Sequence, residues 1–212
     1  MRRGLAPGYQ RNSTVRSKIN LDYLQSMADY ITEYCHFFTA TNLEWKNLLL
    51  RDKYKDVVIE GMRHLVKNKK VIIYGFVLMN NHIHLLWQMR AGIKRDAVQR
   101  DFLKHTAQEI KNDMLDNHKD ELQQYLVNAK DRKYQFWERN ALSVEIWTEK
   151  VFLQKLKYIH ANPVRAGFCN YPLQYKYSSA SFYHTGIDNP STSSGRFSYS
   201  YQGLTWPRVV GS

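Results

Sequence analysis

Two histidines of this chain, His82 and His84, are spaced so that they could bind one metal ion. They lie in an apolar run that predicts a β-strand over residues 82–89. Because successive side chains of a strand point to opposite faces, both imidazoles are expected on one face, with Ile83 on the other. Two imidazoles on one strand form half of a metal site. Surface strands also carry such pairs by chance, so the pair alone leaves both interpretations open.

Tyr158 lies in the segment after Thr148 that predicts a third long helix. The apolar stripe of that helix consists of Phe152, Leu156 and Ile159. Tyr158 is turned roughly 100° away from this stripe, and Asn162 follows it by one helical turn. This spacing would place a phenol beside a neutral oxygen ligand. A half-buried tyrosine, followed by an asparagine that ends the helix before Pro163, explains the same pattern.

The composition favours a polyanionic partner. The 212 residues include 31 Lys and Arg against 19 Asp and Glu, a formal net charge of +12. Such an excess attracts nucleic acid, and a basic protein bound to a membrane surface is the alternative. The sequence shows neither a membrane-spanning run nor an apolar signal core, and its two cysteines exclude a disulfide scaffold. A cytoplasmic protein is therefore expected. The lack of a glycine-rich phosphate loop argues against P-loop NTP hydrolysis.

Further cationic side chains are candidate DNA contacts. Arg100, Lys104 and His105 lie on a predicted second helix, where they would either face DNA or form its solvated surface. Arg165 follows the third helix and is a candidate phosphate contact. His160 points away from the tyrosine of that helix, so a structural or phosphate-contacting role is expected for it.

The elements that must position these residues follow from the hydrophobic periodicity. The pattern predicts a strand over 36–42, a helix over 52–67, a hairpin of strands 71–79 and 82–89, a helix over 94–117, a strand or hairpin within 134–147, and a third helix that Pro163 ends. This order is typical of an α+β, ferredoxin-like domain, an antiparallel sheet with helices on one face. We expect one domain over 36–184, a basic arm with a short helix over 1–35, and a mobile Ser/Tyr-rich tail over 185–212.

Two motifs resemble those of the REP-associated tyrosine transposases. Residues 158–167 read YIHANPVRAG and resemble the tyrosine signature of that family. Residues 77–86 read VLMNNHIHLL and resemble its His-hydrophobe-His motif, with Asn80 where proline is usual. The resemblance covers roughly residues 36–179. It extends to Phe136-Trp137 and to Tyr177-Ser178-Ser179.

The resemblance implies a nuclease and strand transferase with a single catalytic tyrosine, Tyr158, on the third helix. Tyr158 would attack single-stranded DNA, at or beside a REP-type hairpin, and form a 5′-phosphotyrosine. His82, His84 and Asn162 would hold a divalent metal, Mg²⁺ or Mn²⁺ by family analogy. Two imidazoles suit Mn²⁺ or Zn²⁺ at least as well as Mg²⁺. Both monomers and homodimers are compatible with the resemblance.

Two other functions are compatible with a basic ferredoxin-like domain. A non-catalytic module could bind single-stranded nucleic acid by stacking bases on the sheet. The sequence lacks the paired aromatic signature on adjacent strands that this mode uses. A two-histidine phosphoesterase would need a second His-x-Ser/Thr motif, and the sequence has none.

Overall fold

A computed structural model describes residues 34–185 of the chain. The strands of this part are β1 (Cys35–Thr41), β2 (Val71–Leu78), β3 (His82–Met89), β4 (Leu126–Ala129), β5 (Arg132–Tyr134) and β6 (Leu142–Ile146). The long helices are α1 (Asp52–Lys67), α2 (Arg95–Asn117) and α3 (Glu149–Arg165), and short helical segments span Lys119–Leu122 and Ala180–Thr185. Almost all of the predicted arm and tail lies outside the described residues. Within them, no helix is long and apolar enough to cross a membrane.

The main sheet has four antiparallel strands in the order β2-β3-β1-β6. The first strand of the described residues, β1, is therefore central, and the hairpin of β2 and β3 adds to one of its sides. This is the split arrangement of a ferredoxin-like domain, and it confirms the predicted fold class. In the register of β1 and β3, Thr39 lies opposite His84 and Thr41 lies opposite His82.

Helices cover both faces of this sheet. The two helices of the ferredoxin-like arrangement lie on one face, as predicted, and the third long helix lies on the other. The helices α1 and α2 pack on the face that carries Phe38, Ile83 and Trp87. The helix α3 packs on the opposite face, through Phe152, Leu156 and Ile159 against residues such as Tyr74, Val77 and Leu86. The physical reason is that β2 is apolar on both faces and that Leu86 of β3 and Phe37 of β1 extend the second apolar surface, so each face needs a cover.

The segment before α3 contains less strand than predicted. Within 134–147 the structure has β6 and the last residue of β5, and Phe136 and Trp137 are buried in a loop that bonds to the end of β1. Sequence reasoning also missed the small hairpin of β4 and β5.

The end of α3 also differs from the prediction. Pro163 does not end the helix, because α3 continues to Arg165. A proline in the last turn removes only one backbone hydrogen bond, and the Pro163 ring is buried.

The segment after α3 folds back onto the edge of β2. The Leu78 N–H donates to the Tyr177 carbonyl (2.9 Å) and the Ser179 N–H to the Phe76 carbonyl (3.0 Å). The Tyr177 hydroxyl reaches Asp56 Oδ1 on α1 (3.1 Å). The resemblance had singled out this stretch, and in the structure it covers one edge of the sheet and ties it to a helix.

Gly75 sets how closely α3 approaches the sheet. A Cβ atom at this position would lie 2.7 Å from Leu156 Cδ1 and 3.1 Å from Ile159 Cδ1, both on α3. Both distances are shorter than ordinary van der Waals contacts. The glycine therefore allows the helix that carries Tyr158 to lie directly on β2.

Replacing Gly75 with alanine is expected to lower the free energy of unfolding by about 1–3 kcal/mol, because the new methyl group forces α3 outward. Urea denaturation measures the change. Leu156→Ala removes the side chain that the methyl group meets, so the double variant should lose less stability than the sum of the single variants. Strict additivity would show that Gly75 does not set this packing distance.

Candidate active site

The histidine pair lies on the face of β3 that α3 covers. The imidazole rings of His82 and His84 have centroids 4.8 Å apart, whereas Ile83 is buried on the opposite face. The shared face that the spacing predicted is present. His84 is also stacked on Phe37 of the neighbouring strand, with centroids 5.2 Å apart. These contacts hold both rings in defined orientations at the edge of the core.

Each imidazole is bonded through its Nδ1 atom. His82 Nδ1–H donates to Asn81 Oδ1 (2.8 Å), and His84 Nδ1 lies 2.7 Å from Thr39 Oγ1. The bond to Asn81 leaves Nε2 of His82 with its lone pair. Nε2 of His84 has its lone pair in the tautomer whose Nδ1–H donates to Thr39. Partners of this kind orient metal-binding histidines in other proteins.

Burial keeps both histidines neutral. Desolvation, the neighbouring His82 and the nearby Lys155 lower the pKa of His84 to about 3. Desolvation also lowers the pKa of His82 below its usual value. Neutral imidazole is the form that binds metal ions, so the pair is in its ligand form at neutral pH.

Tyr158 lies against this pair, on α3. Its ring centroid is 5.4 Å from that of His84 and 6.0 Å from that of Phe37. The side chain is 37% exposed, so it lies at the surface rather than in the core. Thr148 directly precedes the helix, and its hydroxyl caps the first turn by accepting from the Val151 N–H. The structure therefore brings the predicted nucleophile and the predicted histidines together within one chain.

Two cations accompany the tyrosine ring. The Lys155 ammonium lies 4.6 Å from the Phe37 ring centroid and 5.9 Å from that of Tyr158. The Arg165 guanidinium lies 5.6 Å from the Tyr158 centroid. Arg165 was predicted as a phosphate contact, and the structure places it beside the tyrosine. Sequence reasoning missed Lys155, although its position three residues before Tyr158 on a helix was a usable signal.

Asn162 lies one turn beyond Tyr158, and its amide nitrogen donates to the Tyr158 carbonyl (3.1 Å). Its amide oxygen is the atom that a cation would bind. Within residues 34–185 no three His, Cys, Asp or Glu side chains form a group that could hold a metal ion. The role of Asn162 as a metal ligand stays a prediction. The metal itself stays a prediction.

His160 has a different environment. Its Nε2 atom bonds with Ser179 Oγ (2.8 Å), and its ring lies 5.4 Å from that of Tyr183. Ser179 Oγ also accepts from the Phe76 N–H (3.0 Å). His160 therefore ties α3 to the segment that covers the edge of β2. Burial lowers its pKa to about 4.

We expect the free energy of unfolding to decrease as the pH falls from about 6.5 to about 4. In this window His160 is neutral in the folded state (pKa about 4), whereas in the unfolded state it binds a proton near its ordinary value of 6.5. Urea titrations across this range measure the slope. Because His82 and His84 contribute in the same direction, His160→Gln should reduce the slope without abolishing it. An unchanged slope would contradict the assignment.

The remaining predicted DNA contacts lie on another surface. Arg100, Lys104 and His105 are exposed on α2, which packs on the opposite face of the sheet from Tyr158. Arg100 and Lys104 line a cleft of about 650 Å³ between α2 and residues 131–139. The structure therefore does not bring these three side chains to the tyrosine. Their role in DNA binding stays a prediction.

Comparison with known proteins supports the fold assignment. No family model matches the sequence, and no curated protein matches it. Among solved structures, the chain is similar to a REP-associated tyrosine transposase bound to a REP hairpin. The TM-score is 0.55 at 17% sequence identity, covering 81% of this chain and 92% of that chain. The chain therefore shares the fold of a single-tyrosine transposase, the family that its two motifs resemble.

Proposed function

We propose that this protein is a metal-dependent endonuclease and strand transferase that acts on single-stranded DNA through Tyr158. The observation that carries the proposal is the contact between the Tyr158 ring and His84, at a distance of 5.4 Å between centroids. A surface tyrosine beside two neutral, oriented imidazoles and two cations has the parts that phosphoryl transfer needs. The fold of a tyrosine transposase supports the same function.

In the proposed reaction, the Tyr158 hydroxyl attacks a phosphodiester and loses its proton. A bond forms between the phenolic oxygen and phosphorus, the bond from phosphorus to the 3′-oxygen breaks, and that oxygen takes up a proton. The products are a 5′-phosphotyrosine and a free 3′-hydroxyl. Because the phosphotyrosine conserves the energy of the broken bond, another 3′-hydroxyl can attack it and rejoin the DNA without ATP.

His82, His84 and Asn162 would hold a divalent cation, Mg²⁺ or Mn²⁺. Such a cation would polarise the scissile phosphate and offset the charge that develops there. Lys155 and Arg165, both within 6 Å of the Tyr158 ring centroid, would add positive charge at the same phosphate. The neutral state of the histidines supports this role, since neither needs to lose a proton to bind the metal.

The proposed substrate is single-stranded or hairpin DNA of the REP type. The similar transposase was solved with a REP hairpin, and the net charge of +12 favours a polyanion. The cleft that Arg100 and Lys104 line, together with the nearby His105, would bind DNA away from the cleavage site. Because Tyr158 meets the histidines within one chain, a monomer has the groups that the reaction needs, and a homodimer is not required.

A non-catalytic stacking module is less compatible with the structure. RNA-recognition modules bind bases on an open sheet face, whereas here helices cover both faces of the sheet. A strand of DNA would have to bind at an end or an edge of this sheet. The end of β3 that carries the histidine pair meets the tyrosine through His84, and this favours the catalytic proposal.

The test is to trap the covalent intermediate. The protein is incubated with a hairpin oligonucleotide labelled at its 3′ end, in Mn²⁺, Mg²⁺ or EDTA, and separated on a denaturing gel. The expected result is a labelled band of the protein that depends on the metal. Peptide mapping should place the nucleotide on Tyr158. Binding without an adduct in any metal would overturn the proposal and favour the stacking module.

A further inference from the structure

An exposed tryptophan lies beside the histidine pair. Trp45 is 62% exposed, and its ring centroid lies 5.8 Å from that of His82, with the two planes inclined by 70°. An indole exposed to this extent presents a large apolar surface to solvent. Its edge contact with His82 leaves much of the ring open to solvent at the candidate active site.

The backbone at this tryptophan is strained. Glu44 and Trp45 have φ values of 52° and 57°, the left-handed region that residues with a Cβ rarely adopt. Two consecutive residues of this kind, one of them bulky, are unusual. Such strain persists where the surrounding structure fixes it, and it concentrates at functional sites.

Several contacts fix this loop. The Glu44 N–H donates to Glu138 Oε1 (2.7 Å), and the Glu44 carboxylate pairs with the Lys46 ammonium (2.6 Å). The Leu43 N–H donates to the Phe136 carbonyl (2.8 Å). The first and third of these bonds tie the start of the turn to residues 136–138, and the ion pair closes the turn on itself. They fix the backbone from which the Trp45 side chain extends.

The loop is anchored to the strands that carry the site. The Asn42 N–H donates to the Asn81 carbonyl (2.8 Å), directly before His82. Thr41, at the end of β1, lies opposite His82 in the sheet. The position of Trp45 is therefore set by the same strand ends that position the histidines.

We propose that Trp45 is the stacking platform for an unpaired DNA base next to the scissile phosphate. Stacking on the exposed face of the indole would hold the strand across His82, with the phosphate directed toward Tyr158. Nucleobases stack well on aromatic side chains whatever their identity, so the site would accept any base. The inference rests on the proposed function and describes how the proposed site would hold its substrate. Trp45 is a positioning residue, not a catalytic one.

The surface beyond Trp45 also fits a nucleic acid strand. Glu138, which bonds to the loop, lines the basic cleft between α2 and residues 131–139. The cationic side chains of that cleft are Arg100, Lys104, Lys111, Arg132, Lys133 and Arg139. Three of them pair with carboxylates, Arg100 with Asp101 and both Arg132 and Arg139 with Asp131. A strand that stacks on Trp45 would therefore meet lysines, and arginines that exchange a carboxylate for a phosphate, on the adjoining surface.

The test compares Trp45→Ala, Trp45→Phe and the wild type on single-stranded oligonucleotides that carry an abasic site at successive positions. Anisotropy gives the affinity, and the trapped adduct gives the rate. In the wild type, one abasic position should weaken binding about tenfold. In Trp45→Ala the intact DNA should show the same loss, and that abasic site should add nothing. Trp45→Phe should retain part of the affinity.

Trp147→Ala is the matched control. Trp147 is 51% exposed and follows β6, whose Ile146 pairs with Cys35 at the other end of β1. This variant should bind DNA like the wild type.

If Trp45→Ala also binds and reacts like the wild type, the stacking role is overturned, while the wild-type adduct still supports the proposed function. If sedimentation shows that Trp45→Ala changes self-association and leaves DNA affinity unchanged, the indole is a protein contact and the inference is wrong. If the wild type neither binds DNA nor forms an adduct, both proposals fail.

Discussion

Tyr158→Phe is expected to retain DNA binding and to lose adduct formation by a factor on the order of a thousand or more. The substitution removes one oxygen and keeps the ring that contacts His84 and Phe37. The packing of α3 should therefore be unchanged, because the hydroxyl lies on a side chain that is 37% exposed. The lost activity would reflect the missing nucleophile rather than a disturbed fold. Adduct yield on denaturing gels and DNA affinity by anisotropy measure the two effects separately.

Tyr171→Phe is the matched control for this prediction. Tyr171 is 67% exposed and lies in the segment after α3, so the loss of its hydroxyl should leave adduct formation unchanged. Cleavage that survives in Tyr158→Phe without an adduct would mean that water attacks the phosphate. A remaining adduct would place the nucleophile on another side chain. Either outcome contradicts the role of Tyr158.

His84→Ala is expected to lower the rate of adduct formation on the order of a hundredfold or more, because it removes a proposed metal ligand. It also takes away the partner of Thr39 and the ring that contacts both Phe37 and Tyr158. Calorimetric titration with Mn²⁺ separates these effects, since a merely structural role would leave metal binding intact. His84→Gln fills more of the space that the imidazole leaves, so it provides a second variant in case His84→Ala does not fold.

His64→Ala is the control for the histidine variants. His64 is exposed on α1, away from the face that α3 covers, so neither Mn²⁺ binding nor the reaction rate should change. If His84→Ala binds Mn²⁺ as tightly as the wild type does, the metal site is wrong. If the metal affinity falls and the adduct rate stays the same, the metal does not serve the reaction.

The elements with the clearest periodicity were predictable to the residue. The helix α1 and the strand β3 have the predicted limits, because a regular apolar face and a turn of two asparagines mark their ends. The weaker predictions depended on tertiary structure. Phe136 and Trp137 suggested a strand, yet both are buried in a loop, because burial alone accounts for apolar residues there. The helix α3 passes Pro163 because its packed face stabilises the last turn.

The residues of the candidate site could be singled out from the sequence, but the contact between them could not be predicted. The spacing of His82 and His84 indicates their common face, whereas the placement of Tyr158 off the apolar stripe is compatible with a nucleophile and with an ordinary half-buried tyrosine. That the two meet follows from α3 crossing the far face of the sheet, which no local pattern predicts. The position of Trp45 beside the histidines could not be predicted from the sequence, for another reason. Its left-handed backbone contradicts local preference and is held by Glu138, which is distant in sequence.

The central place of β1 in the sheet has a consequence for how the protein is made. Both neighbours of this strand, β3 and β6, come later in the chain, so its two edges stay unpaired while the ribosome synthesises the residues between them. Tyr158, on α3, is made after both. The site that we propose therefore lacks its tyrosine until every strand of the sheet has been synthesised, so a shorter nascent chain would not have the proposed activity.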